Sequence, residues 1–162
     1  MLKVASGLLM VGALIASTPA LSQRQEIGND MSRCAASARG PAVLVDVSGF
    51  ASGTGNVRIQ SYPATKAAWL AKGEWINRIE TGVHPANGAM RFCMPVPQPG
   101  RYAIAVRHDR NGNGKTDIRQ DGGGFSNNPS ISIFNLGKPA VDKAAFQAGP
   151  GVTRISIKLQ YM

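Results

Sequence analysis

The stretch "HDRNGNGKTD" at residues 108–117 places two Asn-Gly steps between two aspartates. Asp109, Asn111 and Asn113 alternate along the chain, and Gly114 follows them directly. An oxygen-ligand calcium loop has this order, because alternate side chains wrap one ion and a glycine at the sixth position allows a sharp turn. The first half of the segment therefore matches a calcium loop that starts at Asp109.

The second half of the loop departs from that pattern. Position twelve, where a bidentate carboxylate belongs, is Gln120, and Asp121 comes one residue late. Few carboxylates and several basic neighbours weaken the attraction for a cation, so we expect a dissociation constant on the order of 10⁻⁴ to 10⁻³ M. Calcium is the only cofactor expected, and its predicted ligands are Asp109, Asn111, Asn113, Lys115 through its carbonyl, Asp117, Gln120 and Asp121.

A tight hairpin turn is the alternative for this segment. Asn-Gly pairs favour type I′ turns, because both central residues of such a turn need positive φ. Asp side chains also cap the exposed amides of turns. The two interpretations are compatible, and the sequence leaves open whether the loop only turns the chain or also binds an ion.

Residues with catalytic side chains are scarce. Ser126, His108 and Asp109 form the one set of nucleophile, base and acid that the sequence offers for a triad. No nucleophile-elbow motif surrounds Ser126, and its Asn and Pro neighbours are typical of a turn. We therefore expect a protein without enzymatic activity, and the alternative is a hydrolase with its site around residues 108–128.

A binding surface is a second hypothesis for the same region. Phe125 follows three glycines and precedes an Asn-rich turn, and loops on rigid sandwiches often carry recognition. Phe125 either contacts a glycan or protein from this loop or folds back onto the core. The residues predicted to form the contact surface are His108, Phe125, Ser126, Asn127 and Asn128.

Period-two alternation of apolar and other side chains runs through most of the chain and is typical of strands with one buried face. It recurs at 43–47, 57–59, 90–94, 102–106 and 155–161. The Gly-rich segment 48–56 favours a hairpin, and the segments 65–71 and 139–146 favour short helical turns. The pattern predicts an all-β fold, an antiparallel β-sandwich with one or two helical turns.

The N-terminus is predicted to be a signal peptide that is cleaved before Gln23. Lys3, the short apolar run from Leu8 to Ala16 and the small residues that follow are typical of a secretory signal peptide, residues 1–22. We expect residues 23–40 to form a flexible lead-in and residues 41–162 the sandwich domain. No apolar stretch reaches the roughly 18 residues that a membrane-spanning helix needs. The sequence therefore predicts an exported protein, periplasmic or extracellular.

The cysteines and the charge agree with export. Cys34 and Cys93 are the only cysteines, and in an oxidising compartment we expect them to pair. The formal net charge of +9 is spread singly along the chain, without a dense basic run. A basic exported protein meets anionic envelope components, glycans or acidic proteins rather than nucleic acid.

Three motifs in order carry a family resemblance: "PGRYAIAVRHDRNGNGKTD", "GGGFSNNP" and "KPAVDKAAF" before the closing strand. Over roughly Pro41 to Tyr161 the chain resembles the bacterial exported family catalogued as domain of unknown function 2141. The resemblance implies an Ig-like or prealbumin-like β-sandwich with no established activity. The family tends to carry a longer segment before the Gly-Phe-Ser, where this chain has only "IRQDGGG". We expect an exported, non-catalytic module that binds a ligand, a protein or the cell envelope.

Overall fold

The computed structural model describes residues 24–131 and 137–162. The predicted signal peptide, residues 1–22, lies outside this described part. The elements are β1 (Gln25–Glu26), a 3-10 turn (Met31–Cys34), β2 (Ala42–Ser48), β3 (Asn56–Pro63), β4 (Asn77–Gly82), β5 (Ala89–Pro95), β6 (Gly100–Asp109), β7 (Gly122–Phe125), α1 (Val141–Ala144), β8 (Phe146–Ala148), β9 (Val152–Lys158) and β10 (Gln160–Tyr161).

The strands form two packed sheets. The larger sheet has the order β1-β4-β3-β6-β7-β10, with β8 also paired to β6, and the smaller has the order β5-β2-β9. The prediction of an all-β sandwich is confirmed. Two neighbouring pairs, β1 with β4 and β2 with β9, are parallel, so both sheets are mixed rather than purely antiparallel.

The main core lies between the two sheets. From the smaller sheet, Val43, Val45 and Val47 of β2 point inward with no solvent exposure. From the larger sheet, Ile59 and Ile104 meet them. Alternate residues of β2, β3 and β6 fill this layer, as the sequence pattern predicts, because successive side chains of a strand point to opposite faces.

Two local connections differ from the sequence-based expectation. Segment 49–55 does not close a hairpin, because β2 lies in the smaller sheet and β3 in the larger one. The C-terminal pattern is not one strand: β9 pairs with β2, and β10 pairs with β7 of the other sheet. The change of sheet occurs at Leu159, which keeps its side chain in the core.

Part of the N-terminal segment packs on the domain. β1 pairs with β4, and Asn29 bonds the backbone of β5. Cys34 is joined to Cys93 in a disulfide, which confirms the predicted pairing. These contacts fix residues 25–34 along one side of the sandwich.

The two predicted helical segments are short. α1 is a single turn, and residues 65–71 form turns without a regular helix. Trp69 from the second segment packs edge-on against Phe125. No helix among the described residues is both long and apolar enough to cross a membrane.

Candidate functional site

The candidate ion loop, residues 109–121, connects β6 to its antiparallel neighbour β7. The connection between the two strands is therefore a long loop and not a two-residue hairpin turn. Positive φ occurs at Gly112 and Gly114 but at neither of the two asparagines before them. A type I′ turn needs positive φ at both central residues, so neither Asn-Gly step forms one.

Asp109 begins the loop inside the protein, with its side chain 2% exposed. Its Oδ2 accepts a hydrogen bond from the Gly114 amide at 2.8 Å and one from Arg107 Nη2 at 3.3 Å. Its Oδ1 is buried and has no hydrogen-bond partner among residues 24–131 and 137–162. A buried acceptor without a partner is costly, so this oxygen is the one in the loop most in need of a ligand.

The middle of the loop turns back on itself through side-chain oxygens. Asn111 Oδ1 accepts from the Asn113 amide at 3.1 Å, and Asn113 Oδ1 accepts from the Lys115 amide at 2.7 Å. Both side-chain amides then donate to Asp117 Oδ2, at 3.0 and 2.8 Å. The hydrogen bond from Asn111, followed by that from Asn113, lowers the pKa of the Asp117 carboxyl.

Asp121 and Gln120 have other roles in this arrangement. Asp121 is buried, and its two oxygens accept from the backbone amides of Arg110 at 3.3 Å and Asp117 at 3.0 Å. It therefore closes the base of the loop. Gln120 Oε1 lies 3.5 Å from Asn111 Nδ2, at the limit of a hydrogen bond. Within the described part of the chain, no three Asp, Glu, His or Cys side chains converge on a common point.

Arg107 places a positive charge against the same loop. Its guanidinium donates to Thr116 Oγ1 at 3.0 Å and to the Gly114 carbonyl at 3.3 Å, besides its bond to Asp109. It anchors the loop on β6. It also offsets part of the Asp109 charge, which weakens any attraction for a cation.

His108 serves the interior and not the surface. Its Nε2 lies 2.8 Å from the Thr54 carbonyl, which can only accept, so Nε2 donates. Its Nδ1 then accepts from the Tyr161 hydroxyl at 2.7 Å, and that hydroxyl accepts from the Ala51 amide. Burial raises the pKa of Tyr161. Both imidazole nitrogens are thus occupied by structural hydrogen bonds.

Ser126 is also fully buried. Its Oγ accepts from the Ile104 amide at 2.9 Å and donates to the Ala144 carbonyl. The hydroxyl thus joins β6 to α1. The structure does not arrange Ser126 and His108 as a nucleophile and its base, because the hydrogen bonds of both are directed elsewhere.

The other residues of the predicted contact surface pack against, or form hydrogen bonds with, other parts of the protein. Phe125 is folded back in a cluster with Trp69, Val141 and Ala144 on the outer face of the larger sheet. Asn127 and Asn128 have positive φ, and their side chains bond backbone groups at Ala145, Ser156 and Lys158. The five residues do not form a shared exposed surface.

A groove of about 270 Å³ lies between the ion loop and the Phe125 cluster. The sequence does not predict it. Arg58, Arg107, Phe125 and Ile131 are among its lining residues. These come from distant parts of the chain and share no motif. Strand alternation in the sequence places Arg58 and Arg107 on the faces of their strands that point away from the core. It does not indicate that the two side chains share a groove.

Comparisons with known proteins identify a family but no activity. A search of solved structures and a search of curated proteins each found no match. The Ig-like or prealbumin-like assignment within the sandwich class therefore stays a prediction. The family model described as "Uncharacterized protein conserved in bacteria (DUF2141)" matches residues 45–156, which is more than half of the chain. The chain therefore belongs to the DUF2141 family of uncharacterised bacterial proteins.

Proposed function

We propose that this protein is an exported, non-catalytic binding module whose loop 109–121 binds calcium weakly. The buried, unpartnered Oδ1 of Asp109 is the observation that carries the ion proposal. A cation placed there satisfies an acceptor that the described residues leave without a hydrogen bond. It also draws the Asn111, Asn113 and Asp117 oxygens and the Lys115 carbonyl toward one centre, as in oxygen-ligand calcium loops.

The weak affinity follows from the charges in the loop. Asp109 and Asp117 are the two carboxylates left as ligands once Asp121 is used to close the loop base. Arg107 offsets one of them through its contact with Asp109. The Asn111 and Asn113 amides must also give up their bonds to Asp117. The expected dissociation constant therefore stays on the order of 10⁻⁴ to 10⁻³ M, in the range of extracellular sites.

The hydrogen bonds of the serine and histidine that could form a catalytic pair support the non-catalytic proposal. His108 and Ser126 are both buried and bonded to structural partners. Export is supported by the Cys34–Cys93 disulfide, since disulfides persist in oxidising compartments. An exported basic protein suits an anionic envelope component, a glycan or an acidic protein as partner.

Thermal unfolding of the disulfide-intact chain, residues 23–162, tests the ion proposal. The midpoint is measured in EDTA and in calcium up to several millimolar, with NaCl at equal ionic strength. We expect a calcium-specific rise, because a tenfold excess over the dissociation constant stabilises the folded state by about 1.4 kcal/mol.

Two charge-matched variants locate the effect. Asp109→Asn keeps the side-chain shape but removes the charge at the unpartnered oxygen, so the calcium response is expected to disappear. Asp46→Asn removes an exposed carboxylate paired with Arg91, far along the sequence from the loop, and should respond like the wild type. A flat midpoint in the wild type, or an equal rise in Asp109→Asn, would overturn the ion site.

A further inference from the structure

The groove on the outer face of the larger sheet is lined by both apolar and basic side chains. Among the described residues, three large apolar side chains are exposed, and two of these, Ile118 and Met162, line the groove. Leu70 and Ile131 add further apolar surface. Exposed apolar side chains that gather in one concave place mark binding sites more often than scattered ones do.

Leu70 adds an independent observation. Its φ is +57°, and it is the one residue besides Gly and Asn with positive φ in the described chain. This conformation costs roughly 1–3 kcal/mol in a bulky residue, and such strain gathers at functional sites. The strained backbone holds a leucine at the edge of the groove.

The glycines of β7 show that the groove floor is left open. A Cβ on Gly122 would meet the Tyr161 ring at 2.5 Å, and a Cβ on Gly124 would meet Ile157 Cγ2 at 2.7 Å. Those two glycines are therefore required by packing on the inner face. Gly123 points the opposite way, and among residues 24–131 and 137–162 a Cβ there has only Ile131 Cδ1, at 3.7 Å, as a neighbour outside the adjacent chain. The packing of the described residues would permit a side chain at Gly123, but the sequence has none.

The charges around the groove favour an anion. Among the described lining residues, Arg58, Arg107 and Lys138 stand against a single acidic side chain, that of Asp121. Both Asp121 oxygens accept from backbone amides, and Arg58 is paired with Glu80. Lys138 is exposed and makes no ion pair with any residue in the described ranges. An anionic head group can therefore bind at Lys138 while an apolar body lies along the groove.

We propose that this groove binds a small amphipathic anion, an apolar chain that carries one carboxylate. The volume of about 270 Å³ is near the lower limit of small-molecule sites, roughly 300 Å³. It accommodates a medium-length chain or one end of a longer one. The inference names a ligand class for the proposed binding module. Ile118 and Asp121 of the loop line the groove, but the inference requires no ion in that loop.

Calorimetric titration with octanoate, in EDTA and again in calcium, tests the ligand class. Octanoate is expected to bind more tightly than hexanoate by about fourfold per added methylene, because each buried methylene contributes about 0.8 kcal/mol. Acetate, which lacks the chain, and octylammonium, which has the opposite charge, should not bind measurably. Binding in EDTA separates this inference from the calcium proposal, since either can fail alone.

Matched variants locate the octanoate site. Gly123→Leu fills the groove floor and is expected to weaken octanoate binding at least tenfold with the thermal midpoint nearly unchanged. Gly149→Leu adds the same side chain at a site outside the groove and should bind like the wild type. In the described part of the chain, no atom beyond the two neighbouring residues lies within 4 Å of a Cβ at Gly149. Lys138→Gln should weaken octanoate several-fold and leave binding of neutral 1-octanol unchanged.

Vesicles distinguish a free amphiphile from a membrane surface. The chain is mixed with vesicles of anionic phospholipid and sedimented, and we expect Gly123→Leu to leave any binding unchanged. Absence of octanoate binding, equal binding of octylammonium, or full binding by Gly123→Leu would each overturn the groove proposal. Sedimentation with vesicles without binding of octanoate would assign the basic surface to membranes instead.

Discussion

At the scale of single residues, a serine and a histidine, residue types that are common in active sites, here form hydrogen bonds between elements in the protein interior. Ser126 joins β6 to α1, and His108 joins Thr54 to Tyr161. Both lie in the protein interior, where an unpaired polar group costs more than a hydrogen bond gains. Their position next to a turn motif in the sequence suggests a functional site, but their hydrogen bonds to the backbone and to Tyr161 show a structural role.

Ser126→Ala should therefore lower stability. The change leaves the Ile104 amide without its side-chain acceptor and the Ala144 carbonyl without its donor, so we expect a loss of about 1–3 kcal/mol in unfolding free energy. Urea denaturation measures this loss. Ser130→Ala, at an exposed position four residues along, should change it by no more than about 0.5 kcal/mol. Equal stability of Ser126→Ala and the wild type would contradict the connector role.

At the scale of elements, two asparagines cover the two edges of the smaller sheet. Asn29 bonds the Arg91 carbonyl at 2.9 Å and the Cys93 amide at 3.0 Å on β5. Asn128 bonds the Ser156 carbonyl at 2.9 Å and the Lys158 amide at 2.7 Å on β9. Each side-chain amide thus takes the place of a neighbouring strand. Unpaired strand edges invite association with other chains, and these caps block that route.

Asn128→Gly should uncover the β9 edge. Its φ of +49° suits glycine, so the substitution removes the side-chain bonds without straining the backbone. We expect a loss of about 1–3 kcal/mol for two hydrogen bonds and stronger self-association at high concentration. Denaturation and size-exclusion chromatography measure the two effects.

Asn127→Gly is the matched control for the edge. Asn127 also has positive φ, but its side chain bonds a single carbonyl, that of Ala145, away from β9. This variant should lose less stability and stay monodisperse wherever the wild type does. If both variants associated to the same degree, the edge-capping role of Asn128 would be wrong.

At the scale of the whole molecule, the disulfide fastens the N-terminal segment over the smaller sheet. Cys34 and Cys93 lie in a small outer cluster with Ala42 and Leu44, on the face opposite the main core. The bridge closes a loop with a sequence separation of 59 residues. In the chain-entropy account, such a loop restricts the unfolded chain strongly.

Removal of this bridge should destabilise the domain by about 4 kcal/mol. Urea unfolding of the wild type with and without a reductant measures the effect. A chain that carries Cys34→Ala and Cys93→Ala together should match the reduced wild type and ignore the reductant. A difference below about 1 kcal/mol would show that β1 pairing and Asn29 alone hold the segment.

The sequence by itself determined the class of the fold and its covalent link. Alternation around Val45, Ile104 and Ile157 records which strand faces are buried, because a strand's side chains alternate between two faces. The two cysteines admit one pairing. The Asp109–Asp117 string also marked the loop that contains the unpartnered oxygen.

Only the tertiary structure decided which strands are neighbours and where the groove lies. Alternation shows that a strand has a buried face but not which partner covers it, so the parallel pairing of β2 with β9 and the change of sheet at Leu159 were not predictable. The groove joins Arg58, Leu70, Gly123 and Lys138, which are far apart in the chain. Such contacts depend on long-range packing, and a local pattern carries no information about it.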